Sequence, residues 1–192
     1  VERVLKEILD ASVNQLAGGG AEVLSERLHK ALYPHKIGPE AWLAIHRRAH
    51  GLGLKSNATL LFGHLETDEE IVEHLLLLRN LQEETGGFQS FVPLAYQPGS
   101  TQLVPRLVSG IRCLRIIALA RLVLGNIPHI KAYWPSLQVE SAAAALTFGA
   151  DDLDGTLGHE NIMRLAGTGS PAHMTRAHLK RMAEHAGQHL RE

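Results

Sequence analysis

One stretch constrains the fold of this chain more than any other: residues 56–70, which read Ser-Asn-Ala-Thr-Leu-Leu-Phe-Gly-His-Leu-Glu-Thr-Asp-Glu-Glu. Residues 57–62 are short, apolar and partly branched, which predicts a buried strand, and Gly63 lets the backbone turn sharply out of it. When a parallel strand feeds a helix through a tight turn, the polar residues of the turn lie at the carboxyl end of the strand, where α/β folds keep their chemistry. His64 and Glu66 are therefore expected at the mouth of a site.

The helix after this turn carries sequence signals at both of its ends. Thr67 and Glu70 have the spacing of a capping box, and Gly86 with Gly87 would stop the helix. Strand and helix patterns alternate along the chain, which is typical of an α/β fold with parallel strands and outer helices. Strands are predicted at residues 13–16, 57–62, 88–96, 129–134 and around 151–156, and helices at 1–9, 25–32, 39–51, 67–85, 112–124, 141–148 and 171–190.

This alternation amounts to roughly five βα units, whereas a TIM-type (βα) barrel has about eight. The chain is therefore predicted to be the C-terminal part of such a barrel, with residues 1–192 forming one domain. The sequence begins inside a predicted helix, with no initiator methionine and no capping residue before Val1. This beginning indicates a truncated chain.

The composition is that of an ordinary soluble domain. Of the 192 residues, 45% are hydrophobic and 20% are charged. A formal net charge of -1, with Lys and Arg spread along the chain, gives no electrostatic surface for nucleic acid or an anionic membrane. The longest apolar run, residues 116–124, is too short to span a bilayer, and no secretory signal opens the chain, so we predict a cytoplasmic protein. Cys113 is predicted to be a buried, inert thiol.

Three consecutive glycines follow the first predicted strand, at residues 18–20. Glycines let a backbone approach a ligand closely, and the N–H groups of such a loop can face an anion or a ribose. The alternative is a flexible turn between a strand and a helix, which is a common use of glycine runs. From the residues alone both interpretations stay open.

Several histidines have a spacing that metal ligands use. His46 and His50 are four residues apart on a predicted helix, but the neighbouring Arg47 and Arg48 predict a solvated face. We therefore expect no metal ion to be bound there. The last predicted helix has three more histidines along one edge, which we also predict to be exposed: His178, His185 and His189.

Polar and apolar residues alternate in the predicted strand that contains Lys131 and Tyr133. The outside of a barrel strand packs against helices, which favours a position for Lys131 in the barrel lumen; the alternative is a lysine that points to solvent at the strand end. Asp152 and Asp154 lie with Asp151 beside a glycine further along. Such carboxylates could bind a metal, orient a cation or accept hydrogen bonds from a ribose, or they could be turn and cap residues.

The junction at residues 59–66, Thr-Leu-Leu-Phe-Gly-His-Leu-Glu, resembles the Gly-x-Ile-x-Gly-x-x-Glu element on a middle barrel strand of radical S-adenosylmethionine (SAM) enzymes. Further pieces resemble, in this order, the aminofutalosine synthase family of the futalosine route to menaquinone. These pieces are Gly-Gly-Gly-Ala-Glu at 18–22, Ser-Asn-Ala-Thr at 56–59, Glu-Thr-Gly-Gly-Phe at 84–88, His-Ile-Lys-Ala-Tyr-Trp at 129–134 and Phe-Gly-Ala-Asp-Asp-Leu-Asp-Gly-Thr at 148–156.

The resemblance covers nearly the whole chain and implies two cofactors, SAM and a [4Fe–4S] cluster. In the family a Cys-x-x-x-Cys-x-x-Cys motif holds the cluster, and that motif is absent from this sequence. The resemblance implies SAM contacts at Gly19, Gly20, Glu22, Thr59, His64 and Glu66. It implies substrate contacts at Asn57, Lys131, Tyr133, Asp152 and Asp154, with no residue marked as catalytic. One cavity at the carboxyl ends of the strands is then predicted to hold Glu22, His64, Glu66, Lys131 and Asp152.

The implied activity is that of a radical SAM transferase with a small-molecule substrate. In this family the 5′-deoxyadenosyl radical of SAM adds to 3-[(1-carboxyvinyl)oxy]benzoate, and loss of the carboxyl group gives aminofutalosine. Such chemistry needs a closed, dry lumen that holds the adenosine near the alkene. Without the cluster cysteines, these residues alone are expected to be inactive.

Three other functions stay open at this point. The first is a related radical SAM enzyme such as cyclic dehypoxanthine futalosine cyclase. The second is a metal-dependent TIM-barrel hydrolase with His64, His129 and Asp152 as ligands, and the third is a non-catalytic half-barrel. In any half-barrel the strand at residues 13–16 has an unpaired edge. We expect the missing N-terminal half, or another copy of the chain, to cover that edge.

Overall fold

The computed structural model describes residues 1–99, 103–158 and 160–190. Its elements, in chain order, are α1 (Glu2–Asp10), β1 (Gln15–Leu16), α2 (Glu26–Leu32), α3 (Pro39–Gly51), β2 (Lys55–Phe62), α4 (Asp68–Thr85), β3 (Phe88–Ala95), α5 (Gly110–Val123), β4 (His129–Ile130), α6 (Trp134–Leu137), α7 (Val139–Ala145), α8 (Ile162–Leu165) and α9 (Arg176–His185).

The strands form a four-stranded sheet in the order β1-β2-β3-β4. β1 pairs with β2 in parallel, with Gln15 opposite Lys55 and Leu16 opposite Ser56. Neighbouring strands of the sheet follow one another in the chain with helices between them, which is the arrangement of consecutive βα units. The predicted α/β class with parallel strands is confirmed.

The chain divides into two compact units, Val1–Phe91 with Val123–Pro128 and Val92–Leu122 with His129–Glu192. The core of the first unit combines alternate residues of β2 with the apolar stripe of α4, because a strand repeats every two residues and a helix every three or four. These core residues are Ala58, Leu60, Phe62, Ile71, Leu75, Leu78 and Leu81. The second unit buries a set from α5 onward: Ile116, Ile117, Ala120, Ile130, Trp134, Ala142 and Ala145.

Both predicted ends of α4 are confirmed. The Thr67 hydroxyl accepts a hydrogen bond from the Glu70 N–H at 3.2 Å, and the Glu70 carboxylate accepts one from the Thr67 N–H at 2.9 Å. Gly86 adopts the left-handed conformation with φ +60°, and its N–H donates to the Gln82 carbonyl at 2.8 Å. These local signals place the turn before α4 at the end of β2.

The predicted strand at residues 129–134 is too long. Only His129–Ile130 forms β4, because a helix begins at Trp134 with Pro135 in its first turn. The predicted strand around residues 151–156 is also wrong, since Asp152 forms only an isolated bridge, paired in parallel with Lys131.

The predicted helix at residues 171–190 is shorter at both ends and comprises only Arg176–His185. It starts there because the Thr175 hydroxyl accepts a hydrogen bond from the His178 N–H at 3.2 Å and so caps the first turn. β1 is likewise shorter than the predicted strand at residues 13–16.

Other predictions about burial are confirmed. His178, His185 and His189 are exposed. Cys113 is buried, and burial raises the pKa of its thiol to about 11. None of the helices in the described ranges has the length and apolar character that a membrane crossing requires.

The solvated face predicted for His46 and His50 is wrong, because the two side chains are 5% and 8% exposed. Thr85 Oγ1 donates to the Leu81 carbonyl at 2.8 Å and therefore accepts from His50 Nδ1 at 2.7 Å. His50 Nε2 then carries no proton and accepts from Ser56 Oγ at 2.7 Å, which in turn accepts from His46 Nδ1 at 2.9 Å. The chain of hydrogen bonds joins α3 to β2 and α4, so these histidines are structural.

Burial lowers the pKa of both histidines to about 4, with a smaller contribution from the charge of His50 at His46 and of Lys55 at His50. Both rings are therefore neutral at physiological pH, as the direction of their hydrogen bonds requires.

These histidines should make the chain less stable in mild acid. In the unfolded chain they bind protons below about pH 6.5, whereas the folded chain keeps them neutral down to about pH 4. The free energy of unfolding should therefore fall as the pH drops through this window. We expect His50→Gln to flatten this dependence in urea unfolding, whereas His185→Gln, at an exposed position, should leave it unchanged. An equal slope in wild type and His50→Gln would contradict this account.

Candidate functional site

β2 presents two different faces. Its even-numbered residues, including Ser56 and Phe62, are fully buried, while its odd-numbered residues are partly or fully exposed. The predicted ligand residues Asn57 and Thr59 both lie on the more exposed face. The Asn57 side-chain oxygen accepts a hydrogen bond from Ser90 Oγ at 2.8 Å. This face of β2 is therefore the one that can meet a ligand.

The segment of residues 18–24, called the glycine-rich loop below, lies against β2. A Cβ atom on Gly18 would come within 2.8 Å of the Asn57 carbonyl oxygen, so only glycine permits this approach. Gly19 and Gly20 have φ values of +62° and +52°, which glycine adopts without strain. The glycines therefore shape the loop and bring it onto the strand.

Hydrogen bonds fix the loop on both sides of Glu22. The Ala21 N–H donates to Thr59 Oγ1 at 3.0 Å, and the Leu61 N–H donates to the Glu22 carbonyl at 2.9 Å. Glu22 itself has φ +50°, a conformation that is uncommon for a residue with a side chain. The Thr59 hydroxyl is thus a hydrogen-bond acceptor for the loop backbone. Together with the bond from Leu61, it holds Glu22 in a fixed position.

Two further side chains at this loop were missed from the sequence. Lys36 Nζ contacts the Glu22 carboxylate at 2.5 Å and donates to the Gly20 carbonyl at 3.2 Å. Trp42 is 3% exposed, and its indole N–H has no hydrogen-bond partner among the described residues. It lies 3.7 Å from where a Cβ of Gly19 would be. Both come from segments that carry no ligand-binding pattern of their own.

The turn after β2 contains Glu66, whose carboxylate binds the backbone of the same turn. Glu66 accepts hydrogen bonds from the N–H groups of Gly63, at 2.6 Å, and His64, at 2.8 Å. His64 Nε2 lies 3.0 Å from the Leu61 carbonyl, and its Nδ1 lies 3.3 Å from the Glu66 carboxylate. The side chains of His64 and Glu66 are only 2% and 3% exposed. The Glu66 carboxylate therefore satisfies the backbone of the turn, and its place at the mouth of a site stays a prediction.

Glu70 connects this turn with the segment after the glycine-rich loop. Its carboxylate accepts hydrogen bonds from Ser25 Oγ and from Arg27 Nη2, each at 2.6 Å, and Arg27 Nη2 also donates to the Leu65 carbonyl at 2.9 Å. The hydrogen bond from Arg27, helped by Ser25 and the Thr67 N–H, lowers the pKa of Glu70 to about 2 against the effect of burial. The sequence identified Glu70 only as a cap.

Lys131 in the second unit is held by two carboxylates. Its ammonium group contacts Asp154 closely and lies 3.6 Å from Asp152 Oδ2. Asp154 has φ +65°, and its N–H donates to Asp152 Oδ1 at 2.7 Å, which fixes the pair. Burial lowers the pKa of Lys131, but the hydrogen bond to Asp154 and the two negative charges outweigh it and raise the pKa above its usual value. Lys131 is therefore a fixed cation.

Neighbouring polar residues of this unit have different partners. Burial, with the nearby negative charge of Glu160, raises the pKa of Tyr133, whose hydroxyl lies 3.5 Å from the Glu160 carboxylate. Asp151 contacts Arg121 Nη2 and His129 Nδ1, each at 3.1 Å, and accepts from the Ile130 N–H at 2.8 Å. Asp151 therefore has partners different from those of Asp152 and Asp154.

The predicted SAM residues and Asn57 belong to the first unit, and the other predicted substrate residues belong to the second. Direct polar contacts join His64 to Glu66 in the first set, and Lys131 to Asp152 and Asp154 in the second. A common cavity for both sets stays a prediction. Across residues 1–99, 103–158 and 160–190, no three His, Cys, Asp or Glu side chains are placed to hold a metal ion.

Parallel strands with polar loops at their carboxyl ends define an α/β protein that can hold a ligand at the ends of its strands. The family model described as "CofH/MqnC C-terminal region" matches residues 85–191. The chain belongs to this family.

Curated relatives agree with this assignment. The chain is 46% identical over 190 residues to aminodeoxyfutalosine synthase of Thermus thermophilus, covering 96% of this chain and 51% of the relative. It is 42% identical over 168 residues to cyclic dehypoxanthine futalosine synthase of Streptomyces coelicolor, covering 87% and 42%. It is 39% identical over 194 residues to 5-amino-6-(D-ribitylamino)uracil--L-tyrosine 4-hydroxyphenyl transferase of Methanoculleus marisnigri, covering 98% and 53%.

The chain thus spans about half the length of the curated relatives it matches. The resemblance to the aminofutalosine synthases carried by the short motifs is confirmed.

Replacing Glu66 tests its role in the turn. Glu66→Gln should lower the free energy of unfolding by about 1–3 kcal/mol, because an amide offers one oxygen to two backbone N–H donors and leaves one of them unpaired. Glu69→Gln, at an exposed position in the first turn of α4, should cost about 0.3–1 kcal/mol through the helix dipole alone. Urea unfolding of both variants provides the comparison, and equal losses would refute the inward role of Glu66.

Proposed function

We propose that the whole protein is an aminofutalosine synthase and that this chain forms the C-terminal part of its (βα) barrel. The enzyme would join the 5′-deoxyadenosyl group of SAM to 3-[(1-carboxyvinyl)oxy]benzoate in menaquinone biosynthesis. The observation that carries the proposal is the glycine-rich loop, which hydrogen bonds hold against the partly exposed face of β2. The aminodeoxyfutalosine synthase of Thermus thermophilus, with which this chain shares 46% identity, supports the choice of reaction.

The first unit offers groups that suit an adenosine ligand. Gly19 and Gly20 have no side chains and leave the loop backbone open to a ribose. The Glu22 carboxylate can accept hydrogen bonds from two ribose hydroxyls while it keeps its ion pair with Lys36. The unpaired, buried N–H of Trp42 beside Gly19 is a donor that still lacks an acceptor among the described residues. A bound ligand can provide that acceptor.

A [4Fe–4S] cluster does not fit the residues of this chain. Such clusters are held by several thiolates, whereas the sequence has a single cysteine, Cys113, whose burial raises its pKa to about 11. In the proposed enzyme the cluster ligands belong to the part of the protein outside this chain. The cluster and SAM together would supply the 5′-deoxyadenosyl radical, and this chain alone would show no SAM cleavage.

The second unit offers groups for the substrate. Lys131 is a protonated donor whose contact with Asp152 is long, so it can turn one N–H toward a substrate carboxylate while Asp154 keeps it in place. Tyr133 remains protonated because burial raises its pKa, and it can donate a second hydrogen bond. Asn57 in the first unit has an amide group as a further donor. Once SAM and the substrate are bound, the barrel must also exclude water from the reacting groups.

We also propose that the remainder of the protein covers β1. The relatives are about twice as long as this chain, and β1 is an outer strand of the sheet. Outer strands leave N–H and C=O groups available for pairing. The first half of the barrel is our preferred partner for this edge, and a second copy of the chain is the alternative.

A cyclic dehypoxanthine futalosine synthase is the second candidate, since the Streptomyces coelicolor relative of that name is 42% identical to this chain. The two reactions differ in substrate: the first consumes SAM and an enol ether, and the second cyclises a nucleoside-derived compound. The His-Ile-Lys-Ala-Tyr-Trp run at residues 129–134 favours the first. Product analysis with each substrate in turn distinguishes them.

The proposal is tested with the full-length natural protein after anaerobic reconstitution of its cluster. We expect aminofutalosine by mass spectrometry, and we expect Glu22→Gln to weaken SAM binding about tenfold, because a carboxylate accepts hydrogen bonds more strongly than an amide. Glu26→Gln, at an exposed position on α2, is the matched control and should bind SAM as wild type does. Absence of the product, or equal SAM affinity in Glu22→Gln and wild type, would overturn the assignment.

A further inference from the structure

His74 lies on the apolar stripe of α4, between Ile71 and Leu78, and it is completely buried. Its Nδ1 accepts a hydrogen bond from the Leu24 N–H at 3.0 Å. Leu24 is the last residue of the glycine-rich loop. Through this bond α4, which packs against β2, also holds the glycine-rich loop.

The state of the His74 ring follows from this contact. Because Nδ1 accepts a hydrogen bond, it carries no proton, and the proton of the neutral ring is on Nε2. Burial lowers the pKa of His74 to about 3, and the nearby backbone of Thr59 opposes part of this shift. Apart from this contact with the Thr59 backbone, Nε2 is buried without a partner among the described residues.

A leucine would continue the apolar stripe of α4, but it has no acceptor for the Leu24 N–H. The buried Leu24 N–H would then lose its partner, which costs free energy. His74 therefore does what an apolar residue of this stripe cannot do, because it binds the backbone of the loop.

Several hydrogen bonds hold the loop. Ala21 is bound to Thr59 Oγ1, the Glu22 carbonyl to the Leu61 N–H, and Leu24 to His74. The Tyr33 hydroxyl donates to the Val23 carbonyl at 2.8 Å and accepts from the Val23 N–H at 3.4 Å.

Glu22 lies between Ala21 and Leu24 and keeps its φ of +50°, which costs free energy unless the surroundings enforce it. Loss of the His74 hydrogen bond leaves the Tyr33 hydroxyl as the side-chain contact of the segment after Glu22, and Glu22 can then relax more easily to a common conformation.

We propose that His74 is a positioning residue for SAM: through Leu24 it holds Glu22 of the glycine-rich loop in the orientation that receives the ribose. The role toward SAM rests on the proposed function. His74 does not touch the ligand and stays neutral, so its contribution does not change with pH in the physiological range.

The test compares three variants of the full-length natural protein. His74→Leu removes the acceptor, and we expect SAM affinity, measured by equilibrium dialysis, to fall about tenfold, the effect of one buried hydrogen bond. His74→Asn can place its side-chain oxygen near the position of Nδ1 and should stay within about threefold of wild type. Gln82→Leu is the matched control, because it removes a buried polar group of α4 whose partners are Phe88 and Asn126. It should lower stability and leave SAM affinity unchanged.

Amide hydrogen exchange gives a readout that needs no ligand. We expect residues 18–24 to exchange at least about tenfold faster in His74→Leu than in wild type, and to remain protected in His74→Asn and Gln82→Leu. Unchanged exchange in His74→Leu, or equal effects of His74→Leu and Gln82→Leu on SAM affinity, would overturn the role of His74. If wild type binds no SAM, the proposed function fails, whereas faster exchange confined to His74→Leu would still establish His74 as the anchor of the loop.

Discussion

The attachment of the glycine-rich loop to β2 is the constraint on which the candidate site depends. Gly18 can approach the Asn57 carbonyl only because it lacks a Cβ, and the hydroxyl of Thr59 then receives the Ala21 N–H. With this contact in place, Glu22 is fixed in an unusual backbone conformation beside the exposed face of the strand. Removing the contact would leave a flexible loop with a surface carboxylate, which is the alternative that the glycine run left open.

The carboxylates of Glu22, Glu66 and Glu70 lie near the glycine-rich loop and the turn after β2, and they have different partners. Glu66 accepts hydrogen bonds from the backbone of the turn after β2. Glu70 accepts hydrogen bonds from the side chains of Ser25 and Arg27 and so joins that turn to the segment after the loop. Glu22, paired only with Lys36 in the described residues, is left with acceptor capacity for a ligand. Glu22 can therefore bind a ligand, whereas the carboxylates of Glu66 and Glu70 are used by the protein itself.

Local signals in the sequence predicted the centre of the fold well. The strand, the glycine and the capping box of residues 56–70 depend on neighbours within a few residues, and all of them occur as predicted. The ends of the strand at residues 129–134 and of the helix at residues 171–190 were predicted wrongly, although Pro135 and the Thr175 cap lie beside them. The error at the histidines of α3 concerns partners on other elements. Arg47 and Arg48 indicated a solvated helix face, but Ser56 and Thr85 draw His46 and His50 into the core. The tether of His74 to Leu24 spans fifty residues, and no spacing rule could predict it.

The central claim is that Glu22, held by its loop, receives the ribose of SAM. A crystal structure of the full-length natural protein with SAM tests it most directly. The account predicts ribose hydroxyls at hydrogen-bond distance, about 3 Å, from the Glu22 carboxylate, with the Ala21–Thr59 and Leu24–His74 contacts retained. An adenosyl group bound elsewhere, with no contact to residues 18–24, would contradict it.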